Sequence, residues 1–217
     1  MTQYTRRVCE SILPLSVAGT LPEAFKEWSF TEEIVDHEEP IGTCHLCGQE
    51  ELRYHFKIEN QLTKHQLWVG SHCILKFDVA VFDDGHQLSA EDAKKKLDKL
   101  TEKMQLDSCV RALQRLADAE DNVILKSALE YYQKNKKLTP KFAFVVFWRL
   151  NENGIAHNPS FFKVNLKKQK YRDDLAKMPT SRVHYFWSAL STNQRQMAHD
   201  MGHPPPSIKQ EPMPSAG

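Results

Sequence analysis

The pattern Cys44-x-x-Cys47-Gly48, answered downstream by Val69-Gly70-Ser71-His72-Cys73, constrains this chain more than any other stretch. A Cys-x-x-Cys turn with glycine directly after the second cysteine points two sulfurs at one ion, and a third cysteine at the opening of a helix brings a third. Three thiolates at this spacing predict a structural Zn²⁺ site rather than a catalytic one. A thioredoxin-like redox pair would need a β-α context that the flanks lack, and it would leave Cys73 without a role.

The residues between the cysteines read as the hairpin that returns the chain to the metal. Leu52, Tyr54, Phe56 and Ile58 alternate with Arg53, His55 and Lys57, the period of a half-buried strand. Residues 60–64 supply a turn, Leu67, Trp68 and Val69 form the partner strand, and Gly70-Ser71 opens a helix carrying Cys73, Ile74 and Phe77. Knuckle, hairpin, then helix is the order of a treble-clef finger. Upstream, residues 21–28 predict a short helix entered through Pro22, and residues 30–36 a strand.

A closed zinc site needs a fourth ligand. His37, from the preceding strand, reaches the knuckle if residues 38–43 form a loop. His55 pairs near the end of the return strand, and at roughly 3.3 Å per residue its separation from Cys73 is long for a shared ion. His45 points out of the knuckle, His65 sits at the hairpin turn, and His72 is the immediate neighbour of Cys73. The expected set is therefore Cys44, Cys47, Cys73 and His37, with His55, His72, a water or a carboxylate as alternatives.

Two enzymes share fragments of this pattern. The pieces His37-x-Glu39 and Cys44-x-x-Cys47 match zinc deaminases superficially, but they stand too close together for two successive helices, and Pro40 is not next to the cysteine. The stretch Val35-Asp36-His37-Glu38-Glu39-Pro40 resembles the opening of an HNH nuclease core, whose later Asn and metal-binding His are missing at usable distances. An HNH-like nuclease stays as a second alternative to a non-enzymatic role.

The motifs Cys44-x-x-Cys47-Gly48, Leu52-Arg53-Tyr54-His55-Phe56-x-Ile58-x-Asn60 and Leu67-Trp68-Val69-Gly70-Ser71-x-Cys73-Ile74-x-x-Phe77 resemble a group of zinc-finger-like proteins of bacteria, phages and plasmids. The resemblance covers about residues 28–78. It implies a small metal-bound β-hairpin module, a bacterial or mobile-element setting, and an upstream strand that supplies a ligand near His37. It brings no activity with it.

From Ser89 the texture becomes helical. Ser89 and Asp92 form an N-terminal capping pair, and Leu97, Leu100 and Met104 recur at helical spacing. Further helices are expected over 106–116, 123–132, 142–150 (after Thr139-Pro140), 172–178, 182–190 and 191–201, with a short strand over 161–166. The expected organisation is α+β: an N-terminal zinc-stapled, treble-clef-like β-hairpin module over 1–88, a mainly helical domain over 89–202, and a disordered proline-rich tail over 203–217.

Charge separates the two parts. Residues 1–88 carry 7 Lys/Arg against 14 Asp/Glu, net −7, whereas residues 89–217 carry 22 against 14, net +8. In the basic part Lys163, Lys167, Lys168, Lys170, Arg172 and Arg182 interleave with Phe161, Phe162, Tyr171, Tyr185 and Trp187, a composition that suits phosphates and unpaired bases. The competing reading buries the aromatics as core and leaves the lysines on solvated helix faces. No apolar run approaches the roughly 20 residues of a membrane span, and Glu10, Ser11 and Pro14 interrupt the apolar N-terminus that would otherwise suggest a signal peptide. Five cysteines, three at metal spacing, indicate a reducing compartment and hence a cytoplasmic protein, with Cys109 as a core residue and Cys9 without an assigned role. The function expected is non-enzymatic and nucleic-acid-binding, the alternative a protein–protein adaptor or inhibitor acting on a host or phage protein. No membrane and no small-molecule substrate is indicated.

Overall fold

The alternating residues 52–58 fold into the central strand of a three-stranded antiparallel sheet in the computed structural model, which describes residues 3–207. The strands β1 (Trp28–Asp36), β2 (Tyr54–Asn60) and β3 (Gln66–Val69) lie in the order β1-β2-β3. Phe56 pairs with Val69 and Ile58 with Leu67, so the apolar residues of the hairpin share one face. Asn60 fixes the turn. Its buried amide oxygen accepts the backbone N–H groups of Leu62 at 2.8 Å and Thr63 at 2.9 Å. On the other side β1 shifts register between Phe30 and Ile34, with Glu32 at φ 68°, a bulge that keeps both apolar residues directed at the core.

Two helices precede the sheet and one follows it. Helix α1 (Gln3–Ile12) was not expected from the sequence, although Tyr4, Val8 and Ile12 recur at i, i+4 and i+8. Helix α2 (Leu21–Lys26) carries Pro22 in its first turn, and α3 (Ser71–Lys76) opens after Gly70. Val8, Ile12, Trp28, Leu46, Phe56, Ile58 and Ile74 are each at most 1% exposed and form the core. The Trp28 indole donates to Ser16 Oγ at 2.9 Å, and Phe25 stacks on Phe77 at 4.6 Å. A small second hairpin, β4 (Phe82–Asp83) with β5 (His86–Gln87), leads into α4 (Ala90–Ala119).

The chain divides into two compact units, Met1–Ser108 and Cys109–Gly217. The border lies inside α4 and not after residue 88. No glycine or proline interrupts residues 86–139, so the helices expected separately over 89–104 and 106–116 run as one until Asp121 turns left-handed at φ 46°. In the second unit α5 (Val123–Asn135) starts on the Asn122 side chain, which accepts the Leu125 N–H, and α6 (Pro140–Glu152) starts on Thr139 with proline in its first turn. Ala143, Val146, Phe147 and Leu150 of α6 pack into a core that includes Leu113, Leu125, Phe162 and Phe186. Cys109 is buried here as expected, and burial pushes its thiol up to about 12.

The segment expected as a strand over 161–166 is a 3₁₀ turn (Pro159–Phe161) followed by an extended stretch in which Val164 makes a single parallel bridge to Leu138. With one bridge it remains short of a ladder. Helices α7 (Gln169–Ala176), α8 (Thr180–Tyr185) and α9 (Thr192–Asp200) complete the unit, the last opened by a capping box between Ser191 and Gln194. The tail does not begin at His203. That residue is 3% exposed, with Nε2 paired to the Leu175 carbonyl at 2.9 Å and Nδ1 to Thr180 Oγ1 at 3.0 Å. The expectation for residues 208–217 lies outside the described residues. Among the described residues no helix is long and apolar enough to cross a membrane.

Candidate metal centre

The local fold around the cysteines is set by backbone hydrogen bonds. Gly48 N–H donates to the Cys44 carbonyl at 2.8 Å and Cys44 N–H to the Gln49 carbonyl at 2.8 Å, closing a turn whose last residue, Gly48, is left-handed at φ 75°. The knuckle is tied to the sheet by His45 N–H on the Trp68 carbonyl at 2.9 Å. Gly42 and Leu52 exchange two backbone bonds of 2.9 Å and clamp the base of the loop. From the other direction, β3 delivers Cys73 on the first turn of α3, its N–H donating to the Gly70 carbonyl at 3.0 Å.

These elements bring Cys44, Cys47 and Cys73 together, with all three sulfurs within 4.8 Å of one another. Cys73 Sγ is 3.7 Å from Cys44 Sγ and 3.3 Å from Cys47 Sγ. Cys44 and Cys73 are buried, Cys47 half-buried, and the group could hold a metal ion. The electrostatics favour thiolate character at the knuckle. Cys44 is held below the ordinary thiol range by the hydrogen bond from Cys73 and by backbone N–H donors of Cys47, Gly70 and Leu46, against the opposing effect of burial. Cys73 is pushed up because it supplies that bond to Cys44 and lies buried beside Cys44 and Cys47.

Helix α1 covers the sulfurs. A cavity of about 380 Å³ is lined by the three cysteines together with Tyr4, His72 and Lys76. Tyr4 Oη is buried and makes no hydrogen bond of good geometry among the described residues, although the Cys73 thiol lies within its reach. Burial foremost, then the neighbouring cysteines Cys73, Cys47 and Cys44, push its phenol up. The Lys76 ammonium lies 3.8 Å from the centre of the Tyr4 ring, and the Arg7 guanidinium packs so closely on Gly48 that a Cβ there would meet it at 1.9 Å. A poorly satisfied oxygen beside three converging sulfurs fits a cation between them.

His37 is not part of this cluster. Its Nε2 pairs with His55 Nδ1 at 3.0 Å, and the two rings meet edge to face at 4.9 Å. The physical reason is the register: Asp36 pairs with Tyr54, and Val35 with His55, so the end of β1 runs beside the start of β2 and His37 continues that line. Asp36 is likewise engaged, accepting Arg53 Nε at 2.9 Å and the Glu38 N–H at 2.8 Å. His55 is 7% exposed, and among the described residues its Nε2 makes no hydrogen bond of good geometry, although the Thr43 backbone lies within its reach. Burial, then the His37 and His45 rings, hold its pKa below the ordinary histidine value. His45 Nδ1 accepts the Trp68 N–H at 3.3 Å, and His65 is exposed beside the turn.

The basic residues of the second unit separate into two kinds. Lys163, Lys167, Lys168 and Lys170 are exposed and make no ion pair among the described residues. Lys168 rests 5.9 Å from the Tyr171 ring centre. Arg172 is instead turned inward as a brace, donating to the carbonyls of Leu166 and Lys167 and to the Gln169 side chain, which removes it from the expected contact set. Arg182 lies 5.0 Å over the Phe144 ring. The interleaved aromatics are mostly structural: Phe162 is fully buried and Tyr171 bonds Tyr131 at 3.0 Å, while Tyr185, at 39%, is exposed.

A comparison with protein-family models, with curated proteins and with solved structures finds no match to this chain.

Proposed function

We propose that this chain is a non-enzymatic nucleic-acid-binding protein whose acidic first unit is stapled by one Zn²⁺ in a treble-clef-like arrangement and whose basic second unit meets phosphate. The observation that carries the reading is the row of four exposed lysines, 163, 167, 168 and 170, none neutralised by a carboxylate among the described residues. Residues 109–217 hold 17 Lys/Arg against 9 Asp/Glu, net +8, and residues 1–108 hold 12 against 19, net −7. Unpaired ammonium groups at a braced turn suit a phosphate backbone, because each contact releases a condensed counterion. Arg182 over Phe144, with Tyr185 in edge contact at 5.7 Å, adds a cation and a partly exposed ring of the kind that unpaired bases stack on. Zinc is the metal that three buried thiolates favour over harder cations.

The adaptor reading has its own observation. Val123 and Ile124, adjacent on the first turn of α5, are 67% and 62% exposed. A partner chain would cover such a pair.

The test is a salt titration. Wild-type protein should bind a single-stranded or duplex oligonucleotide with an affinity that falls steeply with salt, and changing Lys167, Lys168 and Lys170 together to Glu should abolish binding without altering the circular dichroism spectrum. Reading the salt slope with the three residues as Ala instead should reduce it by about 3. Affinity independent of salt would contradict phosphate contact, and no binding at all would leave the adaptor reading.

A further inference from the structure

We propose that Tyr4 Oη is the fourth donor of the metal site, so that the N-terminal helix belongs to the coordination shell. This rests on the reading of Cys44, Cys47 and Cys73 as metal ligands. Three thiolates occupy three vertices of a tetrahedron and leave one to be filled. The cavity beside them is lined by four further polar side chains: Tyr4, Gln49, His72 and Lys76. Lys76 is a cation and donates only. Gln49 is exposed, bonds the neighbouring Glu50 carbonyl, and would offer a hard amide oxygen to a site already made of soft sulfurs. His72 is exposed and follows Ser71 on α3, one residue before Cys73, and consecutive helical side chains diverge by about 100°.

Tyr4 differs from all of these in being buried at its polar end. A hydroxyl held out of water with only a thiol beside it is poorly satisfied, and ligation would satisfy it. Charge fits as well. Three thiolates, a phenolate and a divalent ion sum to about −2, the balance of a four-thiolate zinc site. Lys76 over the Tyr4 ring and Arg7 against Gly48 supply two cations beside it. On binding, the phenol proton leaves to solvent together with the thiol protons, and the oxygen lone pair is donated to the metal.

The direct experiment uses Tyr4→Phe in the full chain. The variant deletes one oxygen and keeps the ring that packs at 6.1 Å from Phe77 and under Lys76. Wild type, Tyr4→Phe and His72→Ala are each titrated with Co²⁺ and Zn²⁺, following the visible cobalt spectrum, the protons released and the retention of metal against a chelator. The expected result is that Tyr4→Phe releases about one proton fewer, changes the cobalt spectrum and retains zinc about 100-fold less tightly, while His72→Ala matches wild type. A Tyr4→Phe protein with wild-type spectrum, proton count and affinity overturns the proposal, as does His72→Ala carrying the loss instead. Wild-type protein that takes up neither ion would overturn the metal reading itself, and this proposal with it, an outcome distinct from metal that binds without Tyr4.

Discussion

Helices α3 and α6 each feed the buried centre of a unit, yet they are built differently. α3 has six residues and no side-chain cap, whereas α6 has thirteen, begins on a Thr139 cap and buries Ala143, Val146, Phe147 and Leu150. A six-residue helix does not persist alone, since isolated helices below about 12–15 residues are marginal. β3, with four residues, is equally short. What the first unit lacks in element length it recovers by converging three elements on one cluster of sulfurs. The second unit relies on the longer, capped α5 and α6 and a core of Phe147, Phe162, Phe186 and leucines. Stability is therefore expected to respond to different insults in the two units.

The largest effect expected of the proposed zinc site follows from removing its metal. Apparent binding energies of structural zinc are about 10–16 kcal/mol, comparable to or larger than the whole stability of a domain. Chelation, or Cys73→Ser, should strip hydrogen-exchange protection from β2, β3 and α3 while α6 stays protected. Equal loss in both units, or none in either, would break the contrast.

The reverse insult is Phe147→Ala. Phe147 is 1% exposed and meets Phe162 edge to face at 5.9 Å. Truncation should cost about 3–5 kcal/mol, measured by denaturant unfolding of the second unit, with one equivalent of metal retained. Loss of metal in this variant would show that the two units do not respond separately.

The contrast also accounts for what the sequence disclosed. The hairpin and α6 were legible because their signals are local: alternation over residues 52–58, the Asn60 turn, and Thr139-Pro140 ahead of an apolar run. The three cysteines were legible from spacing alone. Helix α1 was missed because Tyr4, Val8 and Ile12 form one thin stripe among Arg6, Arg7 and Glu10, and the stretch was weighed only as a leader segment. With α1 went Tyr4 and Arg7, the residues that cover the site. His37 was misplaced for a different reason, since the pairing of Val35 with His55 is a register, and register is a long-range property that neither residue announces. Arg172 looked like its lysine neighbours in composition, and its inward turn depends on the carbonyls of Leu166 and Lys167 that the chain happens to present to it.

A smaller effect should come from the caps. Thr139→Ala removes the acceptor for the Phe142 N–H and should lower the stability of the second unit by about 1 kcal/mol, read from the shift in its denaturation midpoint at constant slope. No corresponding side-chain cap exists on α3 to be removed. If Thr139→Ala also weakened retention of the proposed metal, the separate response expected of the first unit would fail.

The smallest effect is a pH dependence of the first unit. His55 is held below the ordinary histidine value by burial, next by the His37 and His45 rings, so its folded form resists the proton that the unfolded chain accepts near about pH 6.5. Between the folded and unfolded pKa values the unfolded state binds more protons, and stability rises with pH there. The contribution is complete above about pH 6.5 and declines as the solution is acidified below it. Asp36 acts in a separate, lower window. Burial raises it, but the bonds from Arg53 and the Glu38 N–H outweigh this and hold it below the ordinary carboxylate range, so its contribution is present above about pH 3.9 and is lost as pH falls further. His55→Gln should therefore flatten the stability profile of the first unit between about pH 7 and 5, measured with metal content monitored at each pH so that proton-driven loss of the ion is not mistaken for the titration of His55. An unchanged slope in the variant would mean that His55 is not the group that takes up the proton, and the contribution assigned to its burial would fail.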